Sequence, residues 1–160
     1  MTNADIEWVS LSRKYVTELT LATVFVFLGP IGVSTVPLWV DDSVVQAASW
    51  YPLAVVLVIA ALVFWFIPRR VRAMGYSLRS DDLVFRKGII FQRIVAVPYG
   101  RLQLVDVSRG PVSRALGLSQ LRLVTAAAAT GVEIPGLGAE VAESLRDHLI
   151  AVAETRRAGL

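Results

Sequence analysis

The sequence contains no cysteine and a single histidine, His148, among 160 residues. Without thiols there is no disulfide framework and no thiolate metal site. One imidazole, with no carboxylate cluster at ligand spacing, does not make a metal centre. Nucleophilic catalysis needs a base beside its nucleophile. His148 instead lies mid-way along a helical pattern between Asp147 and Leu149, where a surface position is expected. The glycines at 110, 117, 131, 136 and 138 match neither a dinucleotide fingerprint nor a phosphate-binding loop. No catalytic residue, metal or cofactor is therefore expected, and the chain does not read as an enzyme.

Charge is also scarce, and its absence is localised. Between Val16 and Val40 the only charge is Glu18, and from Ser49 to Ile67 there is none. Hydrophobic residues make up 55% of the chain and the mean hydropathy is +0.60, too apolar for an ordinary soluble domain. Both runs reach the roughly 20 residues a helix needs to cross about 30 Å of hydrocarbon. Two spans are predicted, about 16–40 and 49–67, the first kinked or ended early by Pro30 and Pro37. The first run exceeds the 7–15 apolar residues usual in a signal peptide and has no small-residue cleavage site. Arg13 and Lys14 precede the spans, and Arg69, Arg70 and Arg72 follow them. The connecting loop, Asp41 to Ala48, holds Asp41 and Asp42 but no Lys or Arg. By the positive-inside rule the chain is expected to be a multi-pass protein of the cell membrane, with both termini and everything after residue 68 cytoplasmic. Trp8, Trp39, Trp50, Tyr51 and Trp65 lie near the predicted boundaries.

The remaining charge is unevenly divided. Residues 1–68 carry two basic and five acidic side chains, net −3, and residues 69–160 carry fourteen and eight, net +6. A basic domain is thus tethered beside a leaflet that is normally anionic. After Arg72 the pattern turns to period two. Tyr76 and Leu78, then Leu83 and Phe85, predict two short strands around the Ser80-Asp81-Asp82 turn. Ile89 to Val97 predicts a third, ended by Pro98. Arg101 to Ser108 predicts a fourth, with Leu102 and Leu104 on one face and Gly110-Pro111 at its end. Leu121, Leu123 and Thr125 share a face of a later strand, and Val132-Glu133-Ile134 is its partner. Tyr76, Phe85, Leu104 and Leu123 are the expected inward residues. Val141, Leu145, Leu149 and Val152 recur at helical spacing, with Glu140 and Glu143 early and Arg156 and Arg157 late, an order that suits the helix dipole. Six or seven strands and one C-terminal helix would enclose one small core.

The arginines are the remaining functional candidates. Arg79, Arg86, Lys87, Arg93, Arg101, Arg109, Arg114 and Arg122 are spread over nearly every predicted strand. They form either a solvated face or a basic surface for phosphate headgroups or an acidic partner. Arg69, Arg70 and Arg72 stand to gain about 1 kcal/mol each from an anionic leaflet. Nucleic acid is not expected, because the basic residues are not interleaved with exposed aromatics.

Several motifs occur together and in order. They are Pro68-Arg69-Arg70, Gly75-Tyr76, Arg86-Lys87-Gly88 and Val97-Pro98-Tyr99-Gly100-Arg101-Leu102-Gln103. Val105-Asp106-Val107, Gly110-Pro111, Arg114 and Leu116-Gly117-Leu118 follow. Leu123-Val124-Thr125-Ala126, Ile134-Pro135-Gly136-Leu137 and Leu145-Arg146-Asp147 complete the series. In these, dense over about residues 65–150, the chain resembles the bacterial PH-domain family of YdbS-like, membrane-flanked proteins. The resemblance implies a pleckstrin-homology-like fold at residues 69–155: a bent seven-stranded antiparallel barrel capped by a C-terminal α-helix, behind a two-helix transmembrane hairpin. It also implies a non-enzymatic interaction module, a homo-oligomer or a partner of a related membrane protein in an envelope-associated complex. Lipid recognition by analogy would place an anionic phospholipid headgroup near Arg79, Arg86 and Lys87. Arg69, Arg70, Arg72, Arg101 and Arg114 complete the candidate contacts. Two departures stand out: Ala126-Ala127-Ala128-Ala129 replaces a more polar segment, and the first fourteen residues match no family motif.

Overall fold

The computed structural model describes residues 7–39, 50–125 and 128–158. The Asp41–Ala48 loop and Ala126-Ala127 lie outside the described residues. The chain divides into two compact units, one of Val16–Arg69 and the other of Met1–Tyr15 with Arg70–Leu160.

The apolar runs form helices α1 (Lys14–Thr35) and α2 (Trp50–Arg72), of 22 and 23 residues. At 1.5 Å per residue each is long enough to cross a bilayer. Leu21, Val24, Phe25, Val26 and Leu28 are all exposed, so α1 is apolar on more than one face, as lipid contact requires. Several of its hydroxyls bond to carbonyls one turn earlier in the helix. Thr20 Oγ1 donates to Val16 O at 2.7 Å, Thr23 Oγ1 to Leu19 O at 2.8 Å and Ser34 Oγ to Pro30 O at 2.8 Å. Such internal pairing is what a helix without water partners needs. The helix runs through Pro30 and gives way at Val36–Trp39 to a 3₁₀ turn containing Pro37, the expected early end.

The second unit contains two antiparallel sheets. The first has the order β1 (Val9–Ser10), β2 (Gly75–Leu78), β3 (Asp82–Lys87) and β4 (Arg93–Pro98). The second has the order β5 (Leu102–Ser108), β6 (Leu118–Thr125) and β7 (Ala128–Gly138). A short helix α3 (Pro111–Ala115) joins β5 to β6, and α4 (Ala139–Ala158) ends the chain. The architecture is the bent, helix-capped PH-like one, as two separate sheets and not a closed barrel.

The first strand comes from an unforeseen place. β1 precedes both long helices, and it pairs Val9 with Tyr76 and Ser10 with Gly75. The N-terminal segment, set apart from the domain by its sequence, thus supplies the domain's first strand. Beyond β1, Ser12 N–H donates to Gly136 O at 3.0 Å, tying the same segment to the last strand of the second sheet. Leu11, between them, is buried in the core. Gly136 has φ +66°, and a Cβ there would lie 2.4 Å from Tyr15 Cγ. Only glycine fits both the backbone and the approach of the ring.

The core gathers Leu83, Phe85, Val97 and Tyr99 from one side and Leu102, Leu121, Leu123 and Ile134 from the other. Ala142, Leu145, Leu149 and Ala153 close it from α4. Two expected inward positions are corrected. The helix stripe runs through Ala142 and Ala153, while Val141 is exposed, because helical spacing back from Leu145 and Leu149 falls on Ala142. In β5 the register against β6 shifts between Leu102 and Leu104. The irregularity reverses the faces: Leu102 is buried, Leu104 is 54% exposed, and Val105 and Val107 turn inward instead.

Candidate functional site: a cation-lined cleft between the sheets

The strand register decides which of the basic candidates meet. Gly75 faces Arg86, and Lys87 faces Arg93 across the β3–β4 ladder. Arg86, Lys87 and Arg93 therefore share the end of the first sheet at which the chain leaves for α1 and returns from α2. Arg79 lies beyond Leu78 at the opposite end, roughly 13 Å along the strand at 3.3 Å per residue. The expected grouping of Arg79 with Arg86 and Lys87 is thus split between two ends of one hairpin. Arg114 is exposed on α3. Arg69, in the helical unit, stacks its guanidinium 3.6 Å from the Trp65 ring centroid and donates to Trp65 O at 3.0 Å. Arg70 and Arg72 are exposed near the end of α2.

Between the sheets a cleft of about 470 Å³ opens beside β4. Its floor is apolar, with Phe85, Val97 and Leu123 from the core and Val95 and Val132 beside them. Its rim carries Lys87, Arg93 and Arg101 against one acid, Glu133. Glu133 is held at 3.8 Å by Arg122, its cross-strand neighbour. Among the described residues, none of the three rim cations lies in an ion pair. Arg93 was not among the sequence's candidate contacts. Its place facing Lys87 follows only from register, although the charge-free stretch between the two cations, Lys87-Gly88-Ile89-Ile90-Phe91-Gln92-Arg93, marks it. Arg86 is half-buried, its guanidinium 4.6 Å from the Trp8 ring centroid and its Nε without a hydrogen-bond partner. Trp8, expected near a membrane boundary, packs on the first sheet beside Gly75 and Arg86.

The opposite end of the hairpin is closed by polar pairing. Tyr99 Oη donates to Arg79 O at 2.9 Å, and Tyr99 N–H donates to Asp81 O at 3.1 Å. Arg156, at the end of α4, donates to Ser80 O at 3.1 Å and pairs with the Asp81 carboxylate. Burial, and then the nearby charge of Asp82, push the Tyr99 phenol above its ordinary value of 10.0. Burial does the same to Tyr76. Both rings are neutral hydroxyls at physiological pH, suited to packing and donation. His148 is exposed on α4.

The description "Bacterial PH domain" matches residues 19–153, more than half of the chain. The chain belongs to the bacterial PH-domain family. UPF0699 transmembrane protein YdbS of Bacillus subtilis (strain 168) is 32% identical over 118 residues, which cover 73% of this chain and 68% of that protein. No solved structure matches. Family membership, the transmembrane relative and the two apolar helices make the chain a membrane protein carrying a PH-like domain. The family match starts within α1, so strand β1 lies ahead of it.

Proposed function

We propose that this bacterial PH-domain protein is a non-enzymatic module whose cleft holds anionic phospholipid headgroups at the cytoplasmic face of the cell membrane. The observation that carries this is the cleft rim: three cations, one acid already engaged by Arg122, and an apolar floor. Such a site favours an anion attached to an apolar body. The placement agrees with the positive-inside argument. One unit contains both the residues before α1 and those after α2, so the number of crossings between them is even, which supports a two-span hairpin with both flanks on one side; the flanking basic residues favour the cytoplasmic side.

The test uses the full chain in detergent, because a fragment beginning at residue 69 would lack β1 and Leu11. A short-chain phosphatidylglycerol, added at low salt where screening is weak, should raise Tm, and short-chain phosphatidylcholine should not. The variant with Lys87→Ala, Arg93→Ala and Arg101→Ala should lose the difference, with a basal Tm no lower than that of the parent, since Lys87 and Arg93 oppose each other. Equal responses to the two lipids would remove the headgroup reading.

Assembly with a second copy or a related membrane protein in an envelope complex is supported by a separate observation. β4 is the edge of its sheet, with Ile94 59% exposed, and β5 is the edge of the other, with Leu104 54% exposed. Strand edges with exposed apolar residues accept further strands. Size analysis with crosslinking should then show a species larger than one chain, and a strict monomer would count against this reading.

A further inference from the structure

The β3–β4 turn presents three consecutive apolar side chains to solvent. Ile90 is 81% exposed, Phe91 88% and Ile89 40%. Turns of this kind are ordinarily built from Gly, Asn, Asp and Ser, since large apolar groups in water forgo their burial energy. The turn has a defined shape nonetheless. Gly88 sits at φ +106°, and a Cβ there would fall 2.1 Å from Phe91 O. The tip is therefore a compact loop that holds Ile90 and Phe91 outward.

Two further observations say what covers it. Lys87 and Arg93 face each other directly across the ladder at the base of the tip, with Arg86 alongside. Like charges so placed destabilise a hairpin unless an anion lies between or beside them. The register also fixes which end of the sheet this is. Ser10 pairs with Gly75 and Gly75 with Arg86, so the tip belongs to the end where the chain runs into α1 at Lys14 and returns from α2 at Arg72. The turn at the other end, Arg79 to Asp81, is polar. An apolar tip with a cationic collar complements the boundary of an anionic leaflet, where headgroup phosphates lie above hydrocarbon.

We propose that Ile89-Ile90-Phe91 inserts into the leaflet that α1 and α2 enter, with Lys87 and Arg93 against its phosphates. The proposal deepens the headgroup reading and rests on it for those two cations. The acyl boundary becomes a second thing that the domain grips, and it would hold the domain in one orientation against the membrane.

The absence of cysteine permits a clean test. Ile90→Cys and, separately, Ser80→Cys would each be spin-labelled in the full chain. Both would be reconstituted in nanodiscs of phosphatidylcholine, with or without phosphatidylglycerol. In the anionic discs the label at 90 should be more accessible to oxygen than to a water-soluble nickel chelate, and the label at 80 should show the reverse. Adding Phe91→Asp should return the label at 90 to water without lowering the lipid-free Tm in detergent, since the side chain is exposed. A label at 90 in water in both discs would overturn insertion, even if the phosphatidylglycerol effect on Tm persisted. Shielding from both reagents would mean a protein cover and would overturn it equally. Insertion in neutral and anionic discs alike, with no such Tm effect, would keep the wedge and discard the headgroup reading.

Discussion

The two ends of the first sheet use similar residues to opposite effect. At the end formed by Arg79, Ser80 and Asp81, the backbone carbonyls of all three residues and the Asp81 carboxylate are bonded within the molecule. Tyr99 reaches back to Arg79 O, its own N–H engages Asp81 O, and Arg156 of α4 clasps the turn. At the other end Lys87 and Arg93 oppose each other without an ion-pair partner among the described residues, below a tip of Ile90 and Phe91 in solvent. One end is closed within the molecule, and under the proposal the other is completed by the leaflet. Polar residues close a fold where they are paired.

That contrast can be broken in steps of decreasing size. Leu11→Ala should cost about 2–5 kcal/mol, as for other buried leucines, and lower Tm of the full chain in detergent. An effect near zero would show that β1 is not integral to the domain. Tyr99→Phe should cost about 1 kcal/mol by removing the bond to Arg79 O. The raised Tyr99 and Tyr76 values add a pH signature. Both phenols hold their protons more tightly when folded, so their contribution is full below the ordinary value of 10.0 and is lost as pH rises through the folded value. Tm should therefore be insensitive to these groups near neutrality and fall above pH 10, less steeply in Tyr99→Phe. A fall of equal slope in the variant would contradict the assignment to Tyr99.

The spans and most of the strand content are legible because each is written locally; Ile89 to Gln92, expected at the start of a strand, instead form the β3–β4 turn, and β4 begins at Arg93. Apolar runs of sufficient length, with Glu18 the only charge in the two, specify α1 and α2, and alternation around Tyr76, Phe85, Leu121 and Leu123 specifies the sheets. β1 was not legible. Val9-Ser10 is two residues long, carries no period, and finds its partner across both spans. Leu104 was misassigned because the strand irregularity is a backbone event with no composition of its own. The candidate contacts were chosen by charge, which identified Lys87 and Arg101 at the cleft but gave no way to separate Arg79 from them or to add Arg93. Those distinctions depend on register, and register is fixed only when the whole sheet forms.

Hydrogen–deuterium exchange on the full chain in nanodiscs tests the contrast between the two ends most directly. When phosphatidylglycerol replaces phosphatidylcholine, protection should rise over residues 86–93 and stay unchanged over residues 79–82. Equal changes at both ends, or none at either, would contradict the account.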